Sequence, residues 1–341
     1  MRRHDFFELP VSQVIRETDN AVSLVFDVPP VLKEIFTYRA GQFLTLRRRV
    51  DGKYRHRCYS LCSAPEVDAR HKITIKRVDG GLVSNDICSN VRAGMVLLVQ
   101  PPAGSFVPSS LDQDLLLFAG GSGVTPVLSI LKAALLKGTR RIALVYANRD
   151  ERSVIFRDEL IELSVRHPDR LTIINWLESV QGLPTASQLA SLARPFAPRE
   201  TFVCGPEMFM TNVSEALSLL GVPGKRIHVE RFVSLPDEDA AKPELADESA
   251  ADTKLQVLMD GVEHDVVWPA SMKMLDAMLA AGLDAPYSCR VGGCSACMCR
   301  ILSGNVRMIE NLILDDREMA EGWVLACQAH PLSSEVRAEI P

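Results

Sequence analysis

The chain has 341 residues, 47% of them hydrophobic and 24% charged, which is enough for a sizeable core and for two or three domains. Its net charge of −5 excludes the strongly basic class of nucleic-acid-binding proteins. The first residues are charged and lack an apolar run, and Pro126 and the run GGSG interrupt the most apolar stretch, 114–137. We therefore expect a cytoplasmic protein with no membrane span and with reduced cysteines.

Residues 1–110 predict a small antiparallel β-barrel. Gly, Pro and Asp separate five short apolar strands in this range. Their sequences are AVSLVFDV, QFLTLRR, RCYSLC, KITIKRV and MVLLVQ. Gly80 and Gly81 follow the fourth strand, and the residues after them open a short helix whose free amides suit a phosphate.

Residues 111–233 predict an α/β domain with a doubly wound parallel sheet. Helices alternate with five continuous apolar strands, LLLFA, RIALVYA, LTIINW, TFVC and RIHVERF. We expect the later helices to begin at about Ser153, near Thr185 and from Pro206. The segments FAGGSGVTP and CGPEMFM then lie at the carboxyl edge of the sheet, where ligands of such folds bind.

The segment FAGGSGVTP only partly matches a dinucleotide-binding fingerprint. Gly121 and Gly123 fit the first two glycines of GxGxxG, but Pro126 stands where the third glycine is expected. A proline is tolerated near the first helical turn, and the loop amides can still face a pyrophosphate. Cys204, at the start of CGPEMFM, is as compatible with a buried strand-end cysteine as with a ligand contact.

Residues 234–253 hold seven acids, one lysine and no aromatic residue, which predicts a flexible linker, with a helix as the less favoured alternative. Residues 254–341 begin with a hairpin that turns at Asp260 and Gly261. A helix in MKMLDAMLAAGL follows, and then SCRVGGCSACMC. We expect a third domain here, tethered so that it can reach the others and also swing outward.

Five of the nine cysteines lie in this last region. Four of them have the C-x4-C-x2-C…C spacing of plant-type [2Fe–2S] proteins: Cys289, Cys294, Cys297 and Cys327. A structural zinc site would need a second CxxC knuckle, and a thioredoxin-type pair would follow a strand of a βαβ unit. Cys299 is expected to be a small buried side chain rather than a ligand.

The motif RCYS offers groups that suit a flavin. Arg57 can neutralise a pyrophosphate, Tyr59 can stack on an isoalloxazine ring, and the Ser60 hydroxyl can hydrogen-bond flavin N5. Taken alone, the motif is better explained by a tyrosine that fills the mouth of the barrel, and the glycine pair by an ordinary turn.

In the order RCYS, GGLVS, GGSGVTP, CGPEM and ERF, the motifs of the first 232 residues resemble the ferredoxin–NADP reductase superfamily. With the plant-type cysteine spacing added, the chain resembles reductases that serve bacterial oxygenases. Those of 3-ketosteroid 9α-hydroxylases are the most similar in character, and phenylacetyl-CoA epoxidase reductases share the domain order. The resemblance implies a flavin barrel, a nucleotide-binding α/β domain and a β-grasp ferredoxin domain.

The resemblance also implies roles for individual residues. FAD contacts fall on Arg57, Cys58, Tyr59, Ser60, Ile75, Lys76, Gly81, Leu82, Val83 and Ser84. Nucleotide contacts fall on Gly121, Gly123, Thr125, Pro126, Asn148, Arg149, Cys204, Gly205 and Pro206. Phe232 takes the place of the terminal aromatic residue of the plant enzymes, but it is not terminal here, so it either covers the flavin or packs at the end of the sheet. Ser60, Cys204 and Glu230 are implied to position the reacting rings.

The implied function is electron transfer from NADH through FAD and the [2Fe–2S] cluster to a terminal oxygenase of the Rieske type. NADPH remains an alternative, because Arg149 and Arg152 are cations, although Asp150 and Glu151 offset them and favour NADH. Service to another hydroxylase or desaturase is a further alternative. A redox carrier or sensor without NADH turnover, and a zinc-binding module fused to an oxidoreductase, are more remote.

Overall fold

Six antiparallel strands of the N-terminal region form a barrel in this computed structural model, which describes residues 5–232 and 252–340. They are β1 (Phe7–Thr18), β2 (Ala21–Phe26), β3 (Phe43–Val50), β4 (Lys53–Ser60), β5 (His71–Lys76) and β6 (Val96–Val99), with α1 (Leu82–Asn90) after β5. The strand order is β4-β3-β6-β1-β2-β5, and a bridge between Leu61 and Ile73 joins the two outer strands. The predicted antiparallel barrel is confirmed.

The second region is a parallel sheet between helices. Its strands are β7 (Leu115–Gly120), β8 (Ile142–Asn148), β9 (Leu171–Leu177), β10 (Glu200–Cys204) and β11 (Ile227–Glu230). Its helices are α2 (Val124–Lys137), α3 (Arg157–Arg166), α4 (Glu178–Gln181), α5 (Ala186–Ala193) and α6 (Glu207–Leu219). The order β11-β10-β7-β8-β9 reverses direction between β7 and β10, so the loops after these two strands meet at the ligand-binding edge.

The C-terminal region is a mixed sheet with the order β13-β12-β18-β14-β16 and a separate pair β15-β17. Its elements are β12 (Thr253–Met259), β13 (Val262–Trp268), α7 (Met274–Ala280), β14 (Met298–Ser303), β15 (Val306–Met308), α8 (Asp316–Ala320), β16 (Trp323–Leu325), β17 (Ala329–Pro331) and β18 (Glu335–Ile340). The parallel pair β12-β18 lies between antiparallel neighbours. Apart from its last two residues, the predicted linker 234–253 lies outside the described residues.

Several elements differ from the sequence prediction. Strand β1, helices α4 and α8 and strands β14 to β18 were not predicted. The helix after β8 begins at Arg157 rather than near Ser153, because Asp150 and Ser153 close a capping box and Phe156 adopts a φ of +61°. Helix α7 begins at Met274, since the extended backbone of Lys273 precedes it.

A buried network of charges joins the barrel to the parallel-sheet region. Lys132 of α2 is 3% exposed and pairs with Asp68 at 2.7 Å and Glu159 of α3 at 2.8 Å. Lys72 of β5 pairs with the second oxygen of Glu159 at 3.0 Å. Because buried charges are costly unless they are paired, this network fixes how the two regions face each other. Within residues 5–232 and 252–340, no helix is both long and apolar enough to cross a bilayer.

Candidate cofactor sites

A cavity of about 420 Å³ opens on the barrel beside the end of β4. Most predicted flavin contacts lie in its wall, namely Arg57, Cys58, Tyr59, Ser60, Lys76, Gly81, Leu82, Val83 and Ser84. Thr125 and Phe232 also line it. The side chain of Ile75 is instead fully buried in the barrel core.

The wall of this cavity is rich in positive charge. Four cations, Arg55, Arg57, Lys76 and Arg77, line it together with a single carboxylate. Burial lowers the pKa of Arg57, and burial together with the charge of Arg149 lowers the pKa of Lys76. Burial thus disfavours the charged forms of these side chains, and an anion in the cavity would offset that cost. The side chains therefore fit the pyrophosphate of FAD.

The turn before α1 leaves no space for a side chain at Gly81. A Cβ at Gly81 would lie 2.6 Å from Ser84 Oγ and 2.9 Å from Val78 Cβ. Gly80 has a φ of +67°, a conformation that favours glycine. Helix α1 therefore begins directly at the cavity wall, and its first turn has no side-chain cap. Uncapped amides at a helix start suit a phosphate.

A second cavity, of about 300 Å³, opens at the carboxyl edge of the parallel sheet. Its wall includes four predicted nucleotide contacts, Gly121, Asn148, Arg149 and Pro206. Both polar atoms of the Asn148 side chain are buried, and they interact with the Tyr146 hydroxyl but make no close hydrogen bond within the described residues. A polar ligand would supply the closer partners that this buried amide lacks, so the cavity fits a nucleotide.

The loops after β7 and β10 pack backbone against backbone. A Cβ at Gly123 would overlap the carbonyl oxygen of Cys204, and one at Gly205 would lie 3.0 Å from the Gly120 Cα. Glycine is therefore required at both predicted positions for this packing.

The first turn of α2 hydrogen-bonds the loop after β7, which is the predicted nucleotide loop. Thr125 Oγ1 donates a hydrogen bond to the Ser122 carbonyl at 2.9 Å, and Pro126 is buried in the first turn. Lys76 lines both cavities, and its Nζ lies 3.2 Å from the position of a Cβ added to Gly121. The flavin and nucleotide cavities are therefore neighbours that share one cation.

The three residues predicted to position the reacting rings do not meet in one cavity. Ser60 lines the flavin cavity. Cys204 and Glu230 are register neighbours on β10 and β11, but the Cys204 side chain is fully buried in the core against α2. Glu230 lines a third cavity of about 340 Å³, which lies against the C-terminal region. Burial, followed by the charge of Glu318, raises the pKa of Glu230 to about 8.

The four predicted ligand cysteines form two neighbouring pairs. The Cys289 amide donates to Cys294 Sγ at 3.4 Å, and a hydrogen bond from the Cys297 thiol lowers the pKa of Cys327 to about 7. No group of three or more Cys, His, Asp or Glu side chains among the described residues closes around a single ion. Two pairs of thiols fit a two-iron cluster, in which each iron takes two thiolates.

Backbone amides of the cysteine loop, residues 288–297, hydrogen-bond one of these sulfurs. The amides of Val291 and Gly293 donate to Cys289 Sγ at 3.5 and 3.4 Å. Gly292 has a φ of +76°, and a Cβ there would lie 2.9 Å from the Glu310 carbonyl oxygen. Such amide hydrogen bonds are expected around iron–sulfur ligands, whose negative charge they stabilise.

Cys299 lies outside this arrangement. Its side chain is fully buried, with Sγ 3.7 Å from the Met274 sulfur. It packs in the core of the C-terminal sheet, as expected for a small apolar residue.

The cysteine loop lies directly against the barrel. Phe43 of β3 packs with Cys294 and Ala296. Thr45 Oγ1 hydrogen-bonds Ser288 Oγ at 2.7 Å, in a contact between residues 243 positions apart. Sequence reasoning identified neither Thr45 nor Phe43, and no signal in the sequence marks them.

Ionic contacts join the C-terminal region to the parallel-sheet region. Arg231 pairs with Asp315 at 3.2 Å and with Glu318 at 3.8 Å. Arg317 donates to the carbonyl of Ile227 at 3.1 Å and also to that of Gly224. The C-terminal region thus contacts both other regions, the barrel through Ser288 and the parallel-sheet region through Arg317 and the partners of Arg231.

Three family models match successive parts of the chain. An oxidoreductase FAD-binding domain matches residues 8–107, and an oxidoreductase NAD-binding domain matches residues 117–215. A 2Fe-2S iron-sulfur cluster binding domain matches residues 257–332. The chain therefore contains FAD-binding, NAD-binding and [2Fe–2S] cluster-binding domains, as predicted.

A curated relative from Rhodococcus rhodochrous is 49% identical over 97% of this chain and 96% of its own length. It is a 3-ketosteroid-9-alpha-monooxygenase, ferredoxin reductase component. The chain belongs to the family of monooxygenase ferredoxin reductase components. The same architecture extends to a component of the 1,2-phenylacetyl-CoA epoxidase from Escherichia coli, which is 36% identical over 97% of this chain and 96% of its own length.

Among solved structures, this reductase chain is similar to phthalate dioxygenase reductase, with a TM-score of 0.59 and 23% identity over 98% of both chains. That likeness supports the three-domain fold. The predicted fold class, a flavin barrel followed by a doubly wound domain and a β-grasp ferredoxin domain, is confirmed.

Proposed function

We propose that the chain is the reductase component of a Rieske-type 3-ketosteroid 9α-hydroxylase, which takes electrons from NADH and delivers them to the terminal oxygenase. The proposed domains are residues 1–110 for FAD, 111–233 for the nucleotide and 254–341 for the cluster, with 234–253 as the linker. When bound, FAD accepts a hydride as an electron pair and releases single electrons, which the cluster carries onward. None of the nine cysteines forms a disulfide, which suits the proposed cytoplasmic location.

The observation that carries the proposal is the order of the three sites. Lys76 lies between the nucleotide and flavin cavities, and Cys58 lies between the flavin cavity and the cysteine loop. A route from nucleotide to cluster therefore passes through adjacent sites.

The residues of the barrel would hold the flavin. Arg57 and the first turn of α1 supply positive charge and amides to the pyrophosphate, and Ser60 supplies a hydroxyl to the ring. Burial raises the pKa of the Tyr59 phenol, so the side chain is neutral and can stack on the flavin. Cys289, Cys294, Cys297 and Cys327 would hold the two irons.

The nucleotide cavity supports NADH over NADPH. Of the two cations that could bind a 2′-phosphate, Arg149 lines the cavity and Arg152 does not, and the carboxylate of Glu178 also lines it. The Asp150 carboxylate accepts a hydrogen bond from the Ser153 amide at 2.9 Å, which fixes an acidic group beside the cavity. Carboxylates suit a ribose hydroxyl and repel a 2′-phosphate. We therefore expect kcat/KM to be higher with NADH than with NADPH.

Reconstitution with purified oxygenases tests the assignment of the partner. The chain, NADH, oxygen and a 3-ketosteroid 9α-oxygenase should give 9α-hydroxylated product, and a phenylacetyl-CoA epoxidase supplied in its place should give less product. The second candidate rests on the 36% identity to the epoxidase component. Turnover with the epoxidase alone would replace our assignment with that candidate.

A further inference from the structure

The contact between the cysteine loop and the barrel centres on two hydroxyl groups. Thr45 and Ser288 are 1% and 6% exposed, and their oxygens are 2.7 Å apart. Ser288 directly precedes the proposed ligand Cys289 in the chain. The hydrogen bond therefore fixes the cysteine loop itself to the barrel.

Cys58 connects this contact to the flavin cavity. Thr45 of β3 and Cys58 of β4 are direct register partners, so their side chains lie on the same face of the sheet. Cys58 Sγ lies 3.5 Å from Thr45 Oγ1 and 3.8 Å from Ser288 Oγ. Cys58 also lines the flavin cavity between the proposed flavin contacts Arg57 and Tyr59.

Apolar side chains pack on one side of the hydrogen bond between Thr45 and Ser288. Phe43 packs against Cys294 and Ala296, which are 6% and 7% exposed. Water is therefore kept away from the two hydroxyls, and neither can exchange its partner for solvent without separating the two surfaces.

We propose that Thr45 is a positioning residue that holds the cysteine loop against β4, the strand that lines the flavin cavity, for electron transfer. The inference rests on the proposed function, because it concerns the step from reduced flavin to cluster. Each NADH delivers two electrons as one hydride, and they leave the flavin one at a time through the cluster to the oxygenase. Thr45 affects electron transfer from the flavin to the cluster and leaves hydride transfer unchanged.

Thr45→Val keeps the shape of the side chain and removes its hydroxyl. The buried Ser288 hydroxyl then loses its closest partner, which weakens the docked position. In rapid mixing of the full holoenzyme with NADH under argon, we expect flavin bleaching at the wild-type rate. The later bleaching of the cluster should slow about tenfold, as an unpaired buried hydroxyl predicts. Thr45→Ser restores a hydroxyl and should restore the rate.

Small-angle X-ray scattering of the oxidised holoenzyme provides a readout that does not depend on turnover. Thr45→Val should give a larger radius of gyration than the wild type and Thr45→Ser. The matched control is Thr201→Val, which removes a fully buried threonine hydroxyl that donates to the Arg199 carbonyl, away from this interface. Thr201→Val should change neither the cluster rate nor the scattering.

Different results would overturn the proposed function and the positioning role of Thr45. A wild type whose flavin and cluster are both intact, yet whose cluster stays oxidised with NADH, would overturn the proposed function. A wild type that reduces its cluster, together with a Thr45→Val variant of unchanged cluster rate and scattering, would overturn the role of Thr45 alone.

Discussion

At the scale of single residues, Cys299 and Cys327 differ only in where they lie. Cys327 pairs with Cys297 in the cysteine loop, whereas Cys299 packs beside Met274. We predict that Cys327→Ser loses the cluster and most of its iron, since one of four thiolates is missing. Cys299→Ala should keep about two irons per chain.

Iron analysis and the visible spectrum check this pair of variants. Both variants should retain their flavin bands, because neither residue lines the flavin cavity. A Cys299→Ala protein without iron, or a Cys327→Ser protein with the full amount, would contradict the ligand assignment.

The raised pKa of Glu230 predicts a pH-dependent contribution to the free energy of unfolding. Its pKa in the folded chain is about 8 against an ordinary 4.5, because of burial and then of Glu318, with Arg231 opposing. A raised pKa means that the folded state holds its proton longer than the unfolded state. The contribution is therefore complete below about pH 4.5 and is lost as the pH rises towards 8.

The comparison variant is Glu230→Gln, which stays neutral throughout. We predict that the urea midpoint of the wild type falls relative to that of Glu230→Gln between pH 5 and pH 8. A difference between the two midpoints that stays constant over this range would show that the carboxyl group is not buried in its neutral form.

At the scale of elements, α2 carries two ion-paired lysines in different surroundings. Lys132 is 3% exposed between Asp68 and Glu159, whereas Lys137 is about 40% exposed in its pair with Glu66. Lys132→Met leaves Asp68 without its cation and Glu159 with Lys72 alone, and should cost about 3–5 kcal/mol. Lys137→Met should cost less than about 1 kcal/mol, because water screens the exposed pair.

Urea unfolding of the holoprotein, followed by the release of flavin, measures both variants. Equal losses for the two lysines would mean that the network of Lys132 does not join the barrel to the parallel-sheet region.

Most elements could be predicted from the sequence because their signals are local. The five parallel strands are continuous apolar runs, and Thr185 caps α5 where predicted. Strand β1 escaped prediction because its burial pattern is irregular, with a register shift between Val11 and Gln13. The pairing of Lys132 with Asp68 could not be predicted either, because the spacing along the chain carries no sign of it.

At the scale of the whole molecule, the sequence predicted which cofactors bind but not how the three domains meet. The cysteine spacing and the motif RCYS are local patterns with known chemistry. The contact of Thr45 with Ser288 and that of Arg231 with Asp315 join distant segments through tertiary packing. Neither contact produces a periodic or compositional pattern in the sequence.

The pairs of Arg231 predict that docking of the ferredoxin domain responds to salt. Arg231 is about 27% exposed and faces Asp315 and Glu318. We predict that Arg231→Gln increases the radius of gyration at low ionic strength, and that added salt moves the wild type towards the variant. The control is Arg337→Gln, which breaks an exposed pair with Glu263 within the ferredoxin domain. A wild type whose scattering is insensitive to salt would count against this role for Arg231.

The central claim is that electrons pass from NADH through FAD to the cysteine loop of this one chain. Electron paramagnetic resonance of the holoprotein after one equivalent of NADH under argon tests it most directly. We predict the signal of a reduced [2Fe–2S] cluster in the wild type and its loss in Cys327→Ser. If dithionite produced that signal in the wild type while neither NADH nor NADPH did, the claim would be contradicted.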